Sequence, residues 1–284
     1  MGFVGFSRSK KAGRRLRRRL NLRKSLFLLP NMITLAAVFC GFNAIRLAGG
    51  AQGGGEDLHR AAVLLIFAML FDLLDGRVAR LTKTESAFGL QLDSLADVIS
   101  FGVAPAILVY QWVLYRHPIP GIIVAFAFVA CAAARLARFN VLSSAPSGEP
   151  KKPSKYMLGL PTPPASGILI SLVVADSAVG GAIGQEPHTI VLFVVTVACS
   201  LLMVSNVRFR SFKDLSLNPG TVLLVLFVIG SSAFVWQRYK PQLVLIWLLS
   251  VYVFLGIAET VRMIGQRLRN GPPPRDTLPP TVAE

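Results

Sequence analysis

The chain has 284 residues, of which 53% are hydrophobic and only 15% are charged. Soluble domains average about 25% charged residues, so this composition excludes an ordinary soluble domain and indicates a membrane protein. The net charge of +16 would suit either nucleic acid or an anionic membrane surface, and the positions of the charges decide between them. Three cysteines, scattered through apolar segments, exclude a disulfide framework and a thiolate zinc site.

The first 24 residues form a basic arm with ten lysines and arginines and no acid. Anionic lipid attracts such a juxtamembrane cluster by about 1 kcal/mol per charge. Nucleic-acid binding is not expected, because neither interleaved aromatic residues nor a folded module accompanies the charges. We therefore expect residues 1–24 to be a disordered cytosolic arm beside anionic lipids.

The rest of the chain divides into apolar pieces of about 20 residues, the length that crosses a bilayer core of about 30 Å. This pattern predicts an all-α, polytopic transmembrane helix bundle. We expect a transmembrane core over residues 25–205, additional C-terminal helices over 206–262 and a disordered, proline-rich tail over 263–284. The eight expected spans are 31–48, 59–81, 92–115, 119–143, 158–183, 187–204, 219–236 and 242–262.

The distribution of basic residues predicts the orientation. With the N-terminus in the cytosol, 23 lysines and arginines fall on the cytosolic side of these spans and four on the other side. Because basic loops stay inside, both termini are expected in the cytosol, in a plasma or bacterial inner membrane.

Four aspartates lie beside or within the second and third spans: Asp72, Asp75, Asp93 and Asp97. The spacings of three and four residues put each pair on one helix face. One charge at the centre of a membrane helix costs roughly 2.5–3.5 kcal/mol, so four carboxylates facing lipid would be prohibitive. We expect all four to face a wet, protein-lined cavity near the cytosolic surface.

Clustered carboxylates repel one another unless cations lie among them. Two divalent ions would balance the four charges, and oxygen ligands favour Mg²⁺ or Mn²⁺ over zinc. Such a site suits displacement at a phosphorus atom, with a free carboxylate edge taking the proton of the attacking hydroxyl. Nearby, Gly76 and Ala79 leave room for a bulky group, and Arg80 could bind phosphate oxygens; Gly89 precedes Asp93 by one turn.

Together these residues form the pattern D-x2-DG-x2-AR-x8-G-x3-D-x3-D from Asp72 to Asp97, which resembles the full motif of the CDP-alcohol phosphatidyltransferase family. The resemblance implies a six-helix core and transfer of a phosphatidyl or similar group from a CDP-linked donor to an alcohol, with release of CMP. It implies that Asp97 lies near a second metal as general base. By the same resemblance Asp72, Asp75 and Asp93 would ligate the metals, and Gly76, Ala79, Arg80 and Gly89 would frame the CDP group.

The acceptor is suggested by segments outside the motif, which begin at Pro30, Ala134 and Tyr156 and resemble the serine-using branch of that family. The expected substrates are then CDP-diacylglycerol and L-serine. Arg135 and Arg138 are intramembrane cations that need anionic partners, and one of them could bind a serine carboxylate. They could equally pair with the aspartates, donor phosphates or lipid head groups, and a glycerol-3-phosphate or inositol-phosphate acceptor would also require arginines.

The sequence leaves three further points open. Asn31 and Thr34 either contact the donor or cap the first helix. A divalent-cation or proton-coupled transporter would also place aspartates in the membrane, although no second copy of the pattern occurs in residues 150–284. The family resemblance also suggests a homodimer.

Overall fold

The computed structural model describes residues 9–52, 55–84, 86–143 and 156–210, and short pieces at 231–232, 243–244, 247–251 and 253–255. Within the four longer stretches, the chain forms a bundle of α-helices with one small antiparallel sheet. The elements are α1 (Ser9–Gly49), α2 (Glu56–Thr82), α3 (Ala87–Asp97), a π-helical segment (Val98–Val103), α4 (Ala104–Trp112), α5 (Pro118–Ser143), β1 (Tyr156–Leu158), α6 (Thr162–Ala178), α7 (Thr189–Val204) and β2 (Arg208–Arg210), with short 3₁₀ turns at Leu114–Arg116 and Glu186–His188.

The all-α fold class is confirmed, and the first six expected spans each overlap a helix or a continuous helical run. Four helical segments among the described residues are long and apolar enough to cross a membrane, so this is a membrane protein. Most of the expected span 219–236, about half of 242–262 and the whole tail lie outside the described residues. The four segments are Leu28–Gly49, Ala87–Trp112, Pro118–Val141 and Glu186–Val204.

The N-terminal arm differs from the expectation. Helix α1 begins at Ser9, so residues 9–24 are helical rather than disordered. Arginine, leucine and lysine are good helix formers, and the first proline of the chain comes only at Pro30. The arm therefore continues the first membrane helix as one element of 41 residues.

Small side chains allow α1 and α2 to pack closely in the half of the bundle away from the aspartates. Ala44 and Ala48 of α1 and Ala61 of α2 are almost completely buried in one apolar cluster. Such residues bring helix backbones together, which is how membrane helices gain packing energy. A second cluster, centred on Phe128 and Leu169, joins α4, α5, α6 and α7.

A π-helical segment interrupts the run from α3 to α4 directly after Asp97. Pro105 explains this position, since a proline has no N–H and its ring collides with the carbonyl group four residues earlier, here that of Phe101. The widened turn is held from two sides. The hydroxyl of Ser100 donates to the carbonyl oxygen of Ala37 on α1 (3.2 Å), and that of Ser166 on α6 donates to the carbonyl oxygen of Phe101.

The short sheet closes the same end of the bundle as the aspartates. Strand β1 pairs antiparallel with β2, and the N–H of Gly159 then donates to the carbonyl of Val207 (2.8 Å). Gly159 has a φ of 78°, and a Cβ there would collide with the carbonyl of Met203. The fifth span, expected from residue 158, therefore becomes helical only at Thr162, because a strand and a glycine turn precede it.

The opposite end is fixed by a buried carboxylate. Asp176, near the end of α6, accepts hydrogen bonds from the indole N–H of Trp112 (2.7 Å) and from the backbone N–H groups of Ile183 and Gly184 (2.8 and 2.9 Å). A carboxylate with several donors is satisfied without a cation. Asp176 thus joins α4, α6 and the following loop, and it has a structural role.

Candidate active site

The four motif aspartates lie on two helices that run into the same end of the bundle. Helix α2 ends at Thr82, where the left-handed Lys83 turns the chain and the N–H of Thr84 caps the carbonyl of Ala79 (3.0 Å). Helix α3 starts after Ser86, whose hydroxyl accepts a hydrogen bond from the N–H of Gly89 (3.0 Å). The chain thus reverses, and carboxylates of α2 and α3 approach one another across the site.

Three of the carboxylates converge. One oxygen from each of Asp72, Asp75 and Asp93 lies within 4.8 Å of the other two. Asp75 is only 4% exposed, and the other two are half-buried. Asp75 lies seven residues before the end of α2, which is about 10 Å inside the helix at 1.5 Å per residue. The cluster is therefore recessed beneath the helix ends.

Asp97 lies one turn beyond Asp93 and extends the cluster. Its carboxylate interacts with those of Asp72 and Asp93 and with the guanidinium of Arg135. Its Oδ1 atom is buried and has no hydrogen-bond partner among the described residues. A buried carboxylate oxygen that has no hydrogen-bond donor and lies among other carboxylates is suited to bind a cation.

The first helix contributes to the cluster through Thr34. Its hydroxyl donates to Oδ2 of Asp75 (2.6 Å) and lies 3.1 Å from the carbonyl oxygen of Pro30. Neither Asn31 nor Thr34 caps a helix, because α1 begins about six to seven turns earlier, at Ser9. The capping interpretation is therefore wrong, and Thr34 instead orients a carboxylate of the cluster.

The small residues of the motif border an open space beside the carboxylates. A Cβ on Gly76 would meet only the end of the Arg80 side chain, at 3.9 Å. The Nε atom of Arg80 donates to the carbonyl of Gly76 (2.9 Å), and its guanidinium is exposed. Gly89 is tighter, since a Cβ there would lie 3.2 Å from the Ser86 hydroxyl and 3.4 Å from Oδ1 of Asn31. Ala79, between these glycines in sequence, is half-buried near the end of α2.

The two arginines of α5 have different surroundings. Arg135 is 7% exposed, donates to the hydroxyl of Thr162 (3.1 Å) and interacts electrostatically with Asp97. Arg138 donates instead to the carbonyl of Val204 (3.3 Å) and to Oδ1 of Asn206 (2.8 Å) at the end of α7. The structure therefore brings Arg135 to the aspartates, and it ties Arg138 to the neighbouring helix.

Sequence reasoning missed three hydroxyl-bearing residues around the cluster. Thr162 and Ser166 on α6 are fully buried, and Ser94 on α3 exchanges hydrogen bonds with the amide of Asn140 on α5 (2.9 and 3.3 Å). Serine and threonine in membrane helices commonly bond only to their own backbone, so their identity alone gives no signal. The segment from Tyr156 did mark the region of Thr162 and Ser166.

The donor set fits divalent metal ions. It consists of carboxylate oxygens with no cysteine or histidine among them, which is the hard-ligand chemistry of Mg²⁺, Mn²⁺ or Ca²⁺. A second layer also exists, because Thr34 bonds to one ligand candidate and Arg135 faces another.

Fold and site together define a helical membrane protein with a recessed carboxylate cluster of metal-binding character. The sequence profile of the CDP-alcohol phosphatidyltransferase family matches residues 27–204, which span α1 from its membrane portion to the end of α7. The chain belongs to this family, whose members use divalent metals.

Individual relatives support the assignment. A Helicobacter pylori protein named CDP-diacylglycerol--serine O-phosphatidyltransferase is 36% identical over 232 residues, covering 82% of this chain and 90% of the relative. A Bacillus subtilis protein of the same name is 34% identical over 185 residues, covering 65% and 91%. A Saccharomyces cerevisiae protein of that name is 39% identical over 147 residues, about half of each chain (51% and 52%).

Proposed function

We propose that this protein transfers the phosphatidyl group of CDP-diacylglycerol to L-serine, forming phosphatidylserine and CMP. The convergence of the Asp72, Asp75 and Asp93 carboxylates within 4.8 Å, in a chain of this family, carries the proposal of phosphoryl chemistry. The serine acceptor is supported by the names of the bacterial and yeast relatives.

Asp72, Asp75 and Asp93 are the proposed metal ligands, and Asp97 would complete a second site. Two Mg²⁺ or Mn²⁺ ions bound there would polarise the phosphoryl oxygens and stabilise the leaving phosphate. Four carboxylates balance two divalent cations, which is the argument for two ions rather than one. Thr34 would keep Asp75 in its ligating orientation through the 2.6 Å hydrogen bond.

Asp97 is the proposed general base. In the reaction, the serine hydroxyl oxygen forms a bond to the phosphorus that carries diacylglycerol, and the bond from that phosphorus to the CMP oxygen breaks. The hydroxyl proton passes to the carboxylate of Asp97, whose oxygen not bound to a cation would receive it. Binding serine and donor beside this carboxylate would supply the alignment that an attack at phosphorus requires.

The CDP group would lie along the open side of the cluster. Gly76 and Ala79 leave space next to the backbone of α2, and the exposed guanidinium of Arg80 is available to phosphate oxygens. Gly89 and Asn31 would border the same pocket from the α3 and α1 sides.

Arg135 is the proposed partner of the serine carboxylate, because it is buried, faces Asp97 and is held by Thr162. A buried guanidinium can bind a carboxylate through two parallel hydrogen bonds. Arg138, expected as a second acceptor residue, is bonded to α7 and would act on the substrate only through the position of that helix.

We place the cluster at the cytosolic face of a plasma or inner membrane, with anionic lipids around the basic N-terminal helix. The division of basic residues, 23 on the cytosolic side and four on the other, supports this orientation. CDP-diacylglycerol would then enter from the membrane and serine from the cytosol.

Metal-dependent release of CMP by the purified protein tests the function. CDP-diacylglycerol is supplied in mixed micelles with Mg²⁺ or Mn²⁺ and with serine, glycerol-3-phosphate, inositol phosphate or choline as acceptor. We expect CMP and phosphatidylserine in equal amounts with serine and none after chelation of the metal. CMP release with a different alcohol would overturn the serine assignment, and Mn²⁺ uptake into vesicles without any CMP would favour a transporter.

A further inference from the structure

Helix α6 contacts the catalytic region at two points that lie outside the aspartate motif. Thr162 and Ser166 are four residues apart, so they lie on one face of the first two turns of α6. Both side chains are completely buried. Each makes a hydrogen bond to a different part of the site.

Ser166 donates to a backbone carbonyl that Pro105 leaves without its α-helical donor. In an α-helix the carbonyl of Phe101 would accept a hydrogen bond from residue 105, but Pro105 has no N–H to give. The hydroxyl of Ser166 donates to this carbonyl and lies 2.8 Å from the carbonyl oxygen of Thr162. Ser166 therefore fastens α6 to the turn that follows Asp97.

Thr162 restrains the side chain of Arg135, which interacts electrostatically with Asp97. Its hydroxyl oxygen accepts a hydrogen bond from a terminal nitrogen of Arg135 (3.1 Å), and the guanidinium also lies 5.7 Å from the centre of the Phe139 ring. An arginine restrained on two sides has one preferred orientation, which reduces the entropy lost when it binds an anion.

We propose that Thr162 and Ser166 are positioning residues for the reaction: Ser166 sets the place of Asp97 by anchoring the π turn, and Thr162 orients Arg135 toward the acceptor. The inference rests on the proposed function, because it gives these residues their roles through Asp97 and Arg135. The two contacts act on different partners, so they are expected to affect different kinetic constants.

Steady-state CMP release by detergent-purified variants tests both roles. Ser166→Ala is expected to lower kcat about tenfold or more with both KM values unchanged, because a displaced base slows the chemical step without weakening binding. Ser166→Cys, with a weaker donor of similar size, should give an intermediate kcat.

Thr162→Val is expected to raise the KM for serine about tenfold and leave the KM for CDP-diacylglycerol unchanged. Thr162→Ser, which restores the hydroxyl, should recover the wild-type value.

Two matched controls separate positioning from general packing. Ser171 on α6 and Thr196 on α7 are equally buried, but among the described residues their hydroxyls bond only within their own helices, to the carbonyls of Ile168 and Leu192. Ser171→Ala and Thr196→Val should keep all constants within about twofold of wild type. The inference would be overturned, with the proposed function left standing, if the Ser166 and Thr162 variants behaved like these controls. It would also be overturned if Thr162→Ser did not restore the wild-type KM for serine. Failure of the wild-type protein to release CMP with any alcohol would overturn the proposed function as well.

Discussion

The hydroxyl of Thr34 donates a 2.6 Å hydrogen bond to Oδ2 of Asp75, which connects α1 to the acidic cluster of α2 and α3. The contact is buried and links residues 41 positions apart in sequence. It makes the first helix part of the candidate metal centre and fixes which oxygen of Asp75 remains for a cation.

Removal of this hydroxyl should weaken metal binding. We expect Thr34→Val to raise the Mn²⁺ concentration needed for half-maximal activity about tenfold, at the low end of the 10–100-fold effect of losing a residue that orients a ligand. Thr34→Ser should behave like wild type. A Mn²⁺ titration of CMP release measures the effect, and an unchanged Mn²⁺ requirement in Thr34→Val would show that Asp75 needs no such support.

Asp97→Asn should abolish most of the activity and leave the fold intact. The amide keeps the volume of the side chain but takes up no proton, so we expect kcat to fall by about 100-fold or more. Asp57→Asn is the matched control, because Asp57 is exposed at the opposite end of α2 beside Arg60. Initial rates at saturating substrates measure both, and a fully active Asp97→Asn variant would exclude Asp97 as the base.

The buried carboxylate of Asp176 should contribute to stability rather than to catalysis. Asp176→Ala leaves three donors without this acceptor, those of Trp112 and Gly184 in buried positions, and each buried unsatisfied group costs about 1–3 kcal/mol. We expect a clearly lower thermal unfolding midpoint in detergent. The Mn²⁺ requirement of the protein that remains folded should be unchanged, since Asp176 lies at the other end of the bundle; an altered requirement would contradict this division of roles.

Pro105 and Ser166 should be energetically coupled. Ser166→Ala is expected to destabilise the protein by about 1–3 kcal/mol by leaving the Phe101 carbonyl unsatisfied. In a Pro105→Ala background the cost should be smaller, because the introduced alanine supplies an N–H for the same carbonyl. Unfolding midpoints of the two single variants and the double variant give the coupling energy. Strictly additive effects would show that the stabilising effect of the Ser166 hydroxyl does not depend on Pro105.

The helices and the acidic cluster were predictable from the sequence because both depend on strong local signals. Apolar runs of about 20 residues indicate membrane helices. A carboxylate in such a run has to face the interior of the helix bundle or a water-filled cavity rather than lipid. The spacing from Asp72 to Asp97 then placed the side chains on adjacent helix faces, and the structure brings three of them together.

The remaining features depend on contacts between distant parts of the chain. Pairing of β1 with β2 joins residues about 50 positions apart. Strands of three residues are too short to show the alternation of apolar and polar residues that would predict them. Pro105 signals a disturbed helix, but only the neighbouring Ser166 shows how the freed carbonyl is satisfied. The prediction for the basic arm was wrong because its charge suggested disorder, whereas its residues favour helix when a membrane helix follows directly.

Binding of Mn²⁺ to the purified protein, followed by electron paramagnetic resonance of the free ion, tests the central claim most directly because it requires no substrate. The account predicts saturable binding of two ions per chain, lost or strongly weakened in Asp72→Asn, Asp75→Asn and Asp93→Asn and retained in Asp57→Asn. Wild-type protein that binds no Mn²⁺, or a triple variant of the three aspartates that binds it as tightly as wild type, would contradict the account.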